Sequence, residues 1–203
     1  MISILLLGGR QASGPGLAAE NSYIAQLTRR FRADGLQPTV HTFYPIDLKE
    51  AGNWLKLQPL ALYDLVVLQP DFGSLSSGIL RQQLSILLGH VHMVRHRTVL
   101  ITPLPQRTRK RLRTKRRAIC LGVARRWVIP CLDTSAVLQA GDEFFQVGTD
   151  ENLSAVAHEL LASELHDAYY NLLMADGQPS ADDLPSEAPA WRRYFYSYMT
   201  TRR

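Results

Sequence analysis

Residues 107–117 read Arg-Thr-Arg-Lys-Arg-Leu-Arg-Thr-Lys-Arg-Arg, with eight cations in eleven positions and Leu112 the one apolar side chain. Guanidinium and ammonium groups at that density suit anions: a phosphate, a nucleic acid, an anionic glycan or an acidic protein surface. Arg107, Arg109, Lys110 and Arg111 open the run and, with Arg10, are the candidate anion ligands. Arg113, Lys115, Arg116 and Arg117 are candidate partner contacts. The same run reads equally as a solvated basic face, or as one that pairs with this chain's own acids. A second place where chemistry is conceivable is the glycine-punctuated stretch Gly8-Gly9-Arg10-Gln11-Ala12-Ser13-Gly14-Pro15-Gly16-Leu17. Ser13, Ser22 and Ser74, with His41 and Asp71, are residues from which a serine-based triad would have to be assembled. His90, His92 and His96 make a poor metal motif: His92 and His96 share a helix face, but no Glu or Cys joins them. Cys120 and Cys131 are the only cysteines, too few for a disulfide framework or a metal cluster, and read as small buried hydrophobes.

These residues must be positioned by an alternation of strands and helices. Ile2–Leu7 is a short apolar run rich in β formers. Ile24, Leu27 and Phe31 have helical spacing in a first helix that ends near Asp34-Gly35. Residues 37–43 are a second strand and 48–57 a short helix. Residues 64–69 form a buried third strand, closed by Pro70. Residues 75–94 are a helix with Ile79, Leu80, Leu84, Leu87 and Leu88 on one side. Residues 98–102 are strand four, 107–127 the basic helix and 128–132 strand five. A long last helix covers 152–174, with Val156, Leu160, Leu161, Leu165, Ala168 and Leu172 in a stripe. Such alternation predicts an α/β protein with a parallel sheet covered on both faces. Residues 176–190 are rich in Pro, Ser and Asp and read as a linker. Residues 191–203 are an aromatic and basic tail whose Trp191, Tyr194 and Phe195 are candidate docking contacts.

Several blocks resemble one enzyme family. The strand into Gly8-Gly9-Arg10, the Gly14-Pro15-Gly16-Leu17 turn, and Glu20-Asn21-Ser22-Tyr23 are similar to the first block of SGNH/GDSL hydrolases. In that block a strand runs into Gly-Asp-Ser, a Gly-x-Gly-Leu turn, and an acid followed by Ser-Tyr. Tyr63-Asp64-Leu65-Val66-Val67-Leu68-Gln69 resembles the family's third-block strand, and Thr102-Pro103 its strand-four loop. Asn152-Leu153-Ser154 with His158 resembles the last block. The resemblance covers roughly residues 2–174 and implies a three-layer α/β/α sandwich, flavodoxin-like, with a parallel sheet of about five strands. It also implies that the chemistry is gone. Gly9 replaces the aspartate and Arg10 the nucleophilic serine, and a guanidinium has no nucleophilic oxygen or sulfur. Asn152 stands in place of the catalytic histidine and Thr149 in place of its aspartate. Gly73 replaces the oxyanion-hole asparagine, and Pro45, near the second block's glycine donor, has no N–H. The local reading of Thr149, Asn152 and Ser154 is that they cap the last helix. His158 matches a second, non-catalytic histidine and reads as structural.

The organisation expected is one domain over residues 1–175, the linker 176–190 and the tail 191–203. No run approaches the roughly 20 apolar residues of a membrane span, and the six-residue apolar start lacks the features of a signal peptide. A cytoplasmic protein is therefore expected, with no metal and no cofactor. The charge is blocked: 13 Lys or Arg and no acid lie between Phe72 and Leu132, then 12 acids and no Lys or Arg between Asp133 and Trp191. The reading favoured is a degenerate SGNH-like binding or scaffold module for an anionic ligand or acidic partner. One alternative is an esterase with relocated catalytic residues. Another is nucleic-acid binding through 107–117, though no aromatic residue interleaves with that run. A homo-oligomer is also compatible with the sequence.

Overall fold

The computed structural model describes residues 1–45, 47–69, 75–93, 97–105, 110–138, 141–149 and 152–176, with Arg10, Lys110 and Asp176 described by backbone alone. Five strands form one parallel sheet: β1 (Ile2–Gly8), β2 (Pro38–Phe43), β3 (Leu65–Gln69), β4 (Thr98–Ile101) and β5 (Cys131–Leu132), in the order β2-β1-β3-β4-β5. β1 pairs with β2 from Ile2–Pro38 to Leu7–Phe43 and with β3 from Ile4–Leu65 to Gly8–Gln69. The helices are α1 (Tyr23–Ala33), α2 (Leu48–Lys56), α3 (Ser77–Met93), α4 (Lys110–Arg126), the short α5 (Thr134–Val137) and α6 (Ala155–Asp176).

Alternate strand residues feed two cores, which gives the three expected layers. Ile4, Leu6, Leu65, Val67, Val99 and Ile101 face α1 and α6. Leu5, Leu7, Val66, Leu68 and Leu100 face α2, α3 and α4. Ser22 caps α1, its Oγ accepting from Ala25 N–H, and Asp47 caps α2 by accepting from Glu50 N–H.

Four expectations are corrected. β5 is two residues long because α4 ends in a Schellman closure, in which Val128 N–H donates to Arg125 O and Ile129 N–H to Ala124 O. That closure puts Val128 at φ 56, so residues 128–130 turn instead of extending. Ile79 is 46% exposed and Val156 51%. Each lies one residue, about 100° of helix rotation, from the true core lines through Leu80, Leu84 and Leu87 and through Ala157, Leu161 and Leu165. The last helix begins at Ala155, not 152, and runs through Asp176. Of the three residues expected to cap it, Ser154 does so, its Oγ accepting from Ala157 N–H; Thr149 and Asn152 bond elsewhere. Among the described residues no helix is long and apolar enough to cross a membrane.

Candidate functional site

The order β2-β1-β3 is a topological switch: the chain leaves β1 to one side for β2 and returns on the other for β3. Open parallel sheets hold ligands at the carboxyl ends of the strands at such a point. Here that point is built from Gly8, Gly9 and Gln69. Gly9 N–H donates to Gln69 O at 2.7 Å, extending the ladder by one bond. Gly9 then starts a tight turn over Arg10–Ser13 that closes at Gly14, φ 65. Gly8 is required sterically, since a Cβ there would lie 2.6 Å from the Cβ of Ala12. Arg10 opens the turn at the mouth of the crevice.

Asn152 reaches the same place from 141 residues away. Its Oδ1 accepts from Gln11 Nε2 over a long 3.5 Å, while Gln11 Oε1 is buried without a partner among the described residues. Thr149 does not orient Asn152 through its side chain. Its hydroxyl reaches the backbone carbonyls of Gln146 (3.2 Å) and Asn152 (3.3 Å) and so holds the turn. Gln146, which the sequence reading missed, ties the two loops together: its Nε2 donates to Pro15 O at 2.8 Å and to Leu153 O at 2.9 Å. Gly16 makes room for it, as a Cβ there would meet Gln146 Oε1 at 2.6 Å. Below the crevice, Tyr23 O–H donates to Gln69 Oε1 at 2.6 Å. Thr102, at the end of β4, is buried, and its Oγ1 lies 3.1 Å from that of Thr134.

His158, matched to a non-catalytic histidine of the family, sits in a structural contact. His158 is fully buried, its Nδ1 accepts from Tyr23 N–H at 3.0 Å, and its ring stacks on Tyr23 at 5.8 Å. Burial lowers its pKa to about 4. His166 binds Asp34, His41 lies edge-on to Tyr63 and His92 tilts against Trp127. Among the described residues no histidine hydrogen-bonds a serine hydroxyl, and no three His, Cys, Asp or Glu side chains come together to hold a metal ion. The polar side chains described at the crevice, Gln11, Gln69, Thr102, Thr149 and Asn152, are all neutral. They can donate and accept hydrogen bonds but cannot take up a proton near neutral pH.

The basic helix lies on the other layer, against α3. Arg111 and Lys115 are exposed and pair with no acid among the described residues. Arg117 is instead neutralised internally: its Nε donates to Asp133 Oδ1 at 2.7 Å and its second fork bonds the other carboxylate oxygen. Cys120 is buried and Cys131 half-buried, and burial raises both thiols, that of Cys120 to about 12. Gly73, Arg107, Arg109, Trp191, Tyr194 and Phe195 lie outside the described residues, as do Ser74 and Asp71.

Solved structures with the same arrangement of strands and helices include an esterase and a lipase/acylhydrolase. The psychrotrophic esterase EstA from Pseudoalteromonas matches with a TM-score of 0.67 at 14% identity, over 84% of this chain and 98% of that one. A lipase/acylhydrolase from Enterococcus faecalis matches with a TM-score of 0.67 at 18% identity, over 85% and 97%. A protein assigned to the G-D-S-L lipolytic family, from Desulfitobacterium hafniense, matches with a TM-score of 0.67 at 14% identity, over 83% and 99%. This chain has the SGNH/GDSL-hydrolase fold. At these identities the likeness concerns the fold alone. No protein-family model and no curated protein matches the sequence.

Proposed function

We propose that this chain is a non-hydrolysing protein of the SGNH fold that works by binding an anionic ligand or an acidic partner. One observation carries the reading: the position corresponding to the general base is Asn152, and its side chain bonds Gln11 rather than any serine. A serine hydroxyl needs an adjacent proton acceptor to attack an acyl carbon, and an amide oxygen is far too weak a base. Arg10, whose backbone opens the turn at the switch point, supports the binding half of the proposal, because arginine is a permanent cation and no nucleophile.

The test is intact-mass analysis after incubation with a fluorophosphonate. The control is the Pseudoalteromonas esterase, whose structure has been solved inhibited by monoethylphosphonate. No adduct is expected on the native chain under conditions that label the control fully. An adduct on any native serine would overturn the proposal, and a digest would locate the nucleophile. The combined variant Arg10→Ser, Asn152→His, Thr149→Asp measures how much of the ancestral frame still stands.

A further inference from the structure

We infer that the groove between α3 and α4 is a docking site for an acidic amphipathic helix of a partner protein. This goes beyond the binding reading, at a surface apart from the switch-point crevice. The groove encloses about 690 Å³. Its floor is apolar, made by the buried Ile119 and Val123, with Ile86, 53% exposed, along one wall. Ile79, one heptad before Ile86 on α3, is also exposed but lies outside the groove's lining. Arg81 on α3 and Arg126 on α4 rim the groove, and neither meets an acid among the described residues. Most of the lining is exposed, so a small ligand would remain largely in water, whereas a helix would cover the floor across its own width.

Gly122 is the second, independent observation. It sits in the interior of α4, where glycine costs about 1 kcal/mol relative to alanine. Gly89 of α3 has an internal reason, since a Cβ there would lie 3.0 Å from the Trp127 ring. Gly122 has none: a Cβ there meets nothing within 4 Å, and the same holds for Gly78 across the groove. Gly52 of α2 is equally open, so openness alone marks no site. What sets Gly122 and Gly78 apart is that both line one groove with an apolar floor and cationic rims. Small residues at such a place let another backbone approach closely.

Charge selects the occupant. α3 and α4 together carry nine Lys or Arg and no acid. A second copy docking by the same face would set cations against cations. The chain's own tail from Trp191 onward is cationic too, and in its acid-bearing segment 176–190 the prolines at 179, 185 and 189 leave no more than five residues in a row before the next proline. From Gly78 to Ile86 the groove follows α3 for about 12 Å, so two to three turns of a partner would fill it. Carboxylates on that partner's flanks would meet Arg81 and Arg126.

The experiment places a photo-crosslinking amino acid at Ile86 in the full chain, expressed in its own cells, with Val156 on the opposite layer as control. The expected adduct at 86, absent at 156, maps to a segment bearing acids and apolar residues at helical spacing. A synthetic peptide of that segment then binds the purified protein, and binding weakens at least tenfold in Arg81→Glu/Arg126→Glu and in Gly122→Leu. Gly122→Leu should meanwhile unfold at the same or a higher temperature, because the space above Gly122 is empty and leucine is the better helix former. An adduct with nucleic acid, with a second copy or with a basic segment would overturn the inference. So would no adduct, or a Gly122→Leu protein that binds the peptide normally. A fluorophosphonate adduct would sink the non-hydrolysing reading and leave the groove untouched, so the two failures are distinguishable.

Discussion

The imidazole of His158 is the residue whose setting makes the sharpest solution forecast. Its Nδ1 accepts the first N–H of α1, so its proton sits on Nε2, which is buried with no partner among the described residues. Charging the ring would break the first contact and bury a cation. Burial accordingly lowers the pKa from the ordinary 6.5 to about 4. Between those values the unfolded chain binds more protons than the folded one, so stability rises with pH and is lost on acidification. The loss from this group is about 2 kcal/mol between pH 7.5 and 5. The urea midpoint of the native protein should therefore fall over that interval by clearly more than that of His158→Gln. Parallel falls in the two proteins would assign the pH dependence to other groups.

At the scale of elements, the crevice depends on two loops being held together, and Gln146 is the link. One amide N–H₂ satisfies the carbonyls of Pro15 and Leu153, which belong to loops 138 residues apart by sequence. Gln146→Ala removes both bonds. Gln146→Glu also points a carboxylate at two carbonyl oxygens, a loss of about 2 kcal/mol or more. The thermal midpoint should fall by roughly 4–8 °C in Gln146→Glu, further than in Gln146→Ala. Faster amide exchange at Leu17, whose N–H bonds Gly14 O, should accompany it. Equal effects of the two variants would mean that the clamp is not what holds these loops. Nothing in the sequence announces Gln146, because its partners are backbone groups and its own neighbours are unremarkable. The five strands and the long helices were legible, since strands buried on both faces read as short continuous apolar runs, the edge strand β2 alternates, and the helices keep a 3.6-residue period. Their edges were not. The Schellman closure at Val128 uses a β-branched residue where glycine is the usual signal, and it shortened β5. Ile79 and Val156 extended correct stripes by one residue too many. That Asn152 belongs beside the Gly9–Ser13 turn was legible only through the family resemblance, while its partner Gln11 and the α3–α4 groove were not legible at all, because an empty space above Gly122 exists only once two helices are packed.

Over the whole molecule, the blocked charge of the sequence becomes a sided charge. The cation-rich α4 packs beside α3 on one face of the sheet, while on the other the acids of α6 are offset by Arg29, Arg30 and Arg32 of α1. Some of that charge is neutralised inside the fold, by Arg117 with Asp133 and by Arg30 reaching Glu159 at 3.9 Å. Arg111 and Lys115 of α4 meet no acid among the described residues and, four residues apart, are like charges on one helix face. A face maintained at a cost to its own helix should be dispensable for folding. Lys115→Glu converts that repulsive i, i+4 pair into an attractive one. Its thermal midpoint should rise by a degree or two at low ionic strength. The gain should disappear in about 1 M salt, where the screening length shrinks to about 3 Å. Elution from a heparin column should move to lower salt, since the anion-facing charge has been reversed. A fall in the midpoint at low salt would show instead that Lys115 serves the fold, and the basic face would then be a structural feature rather than one kept for a partner.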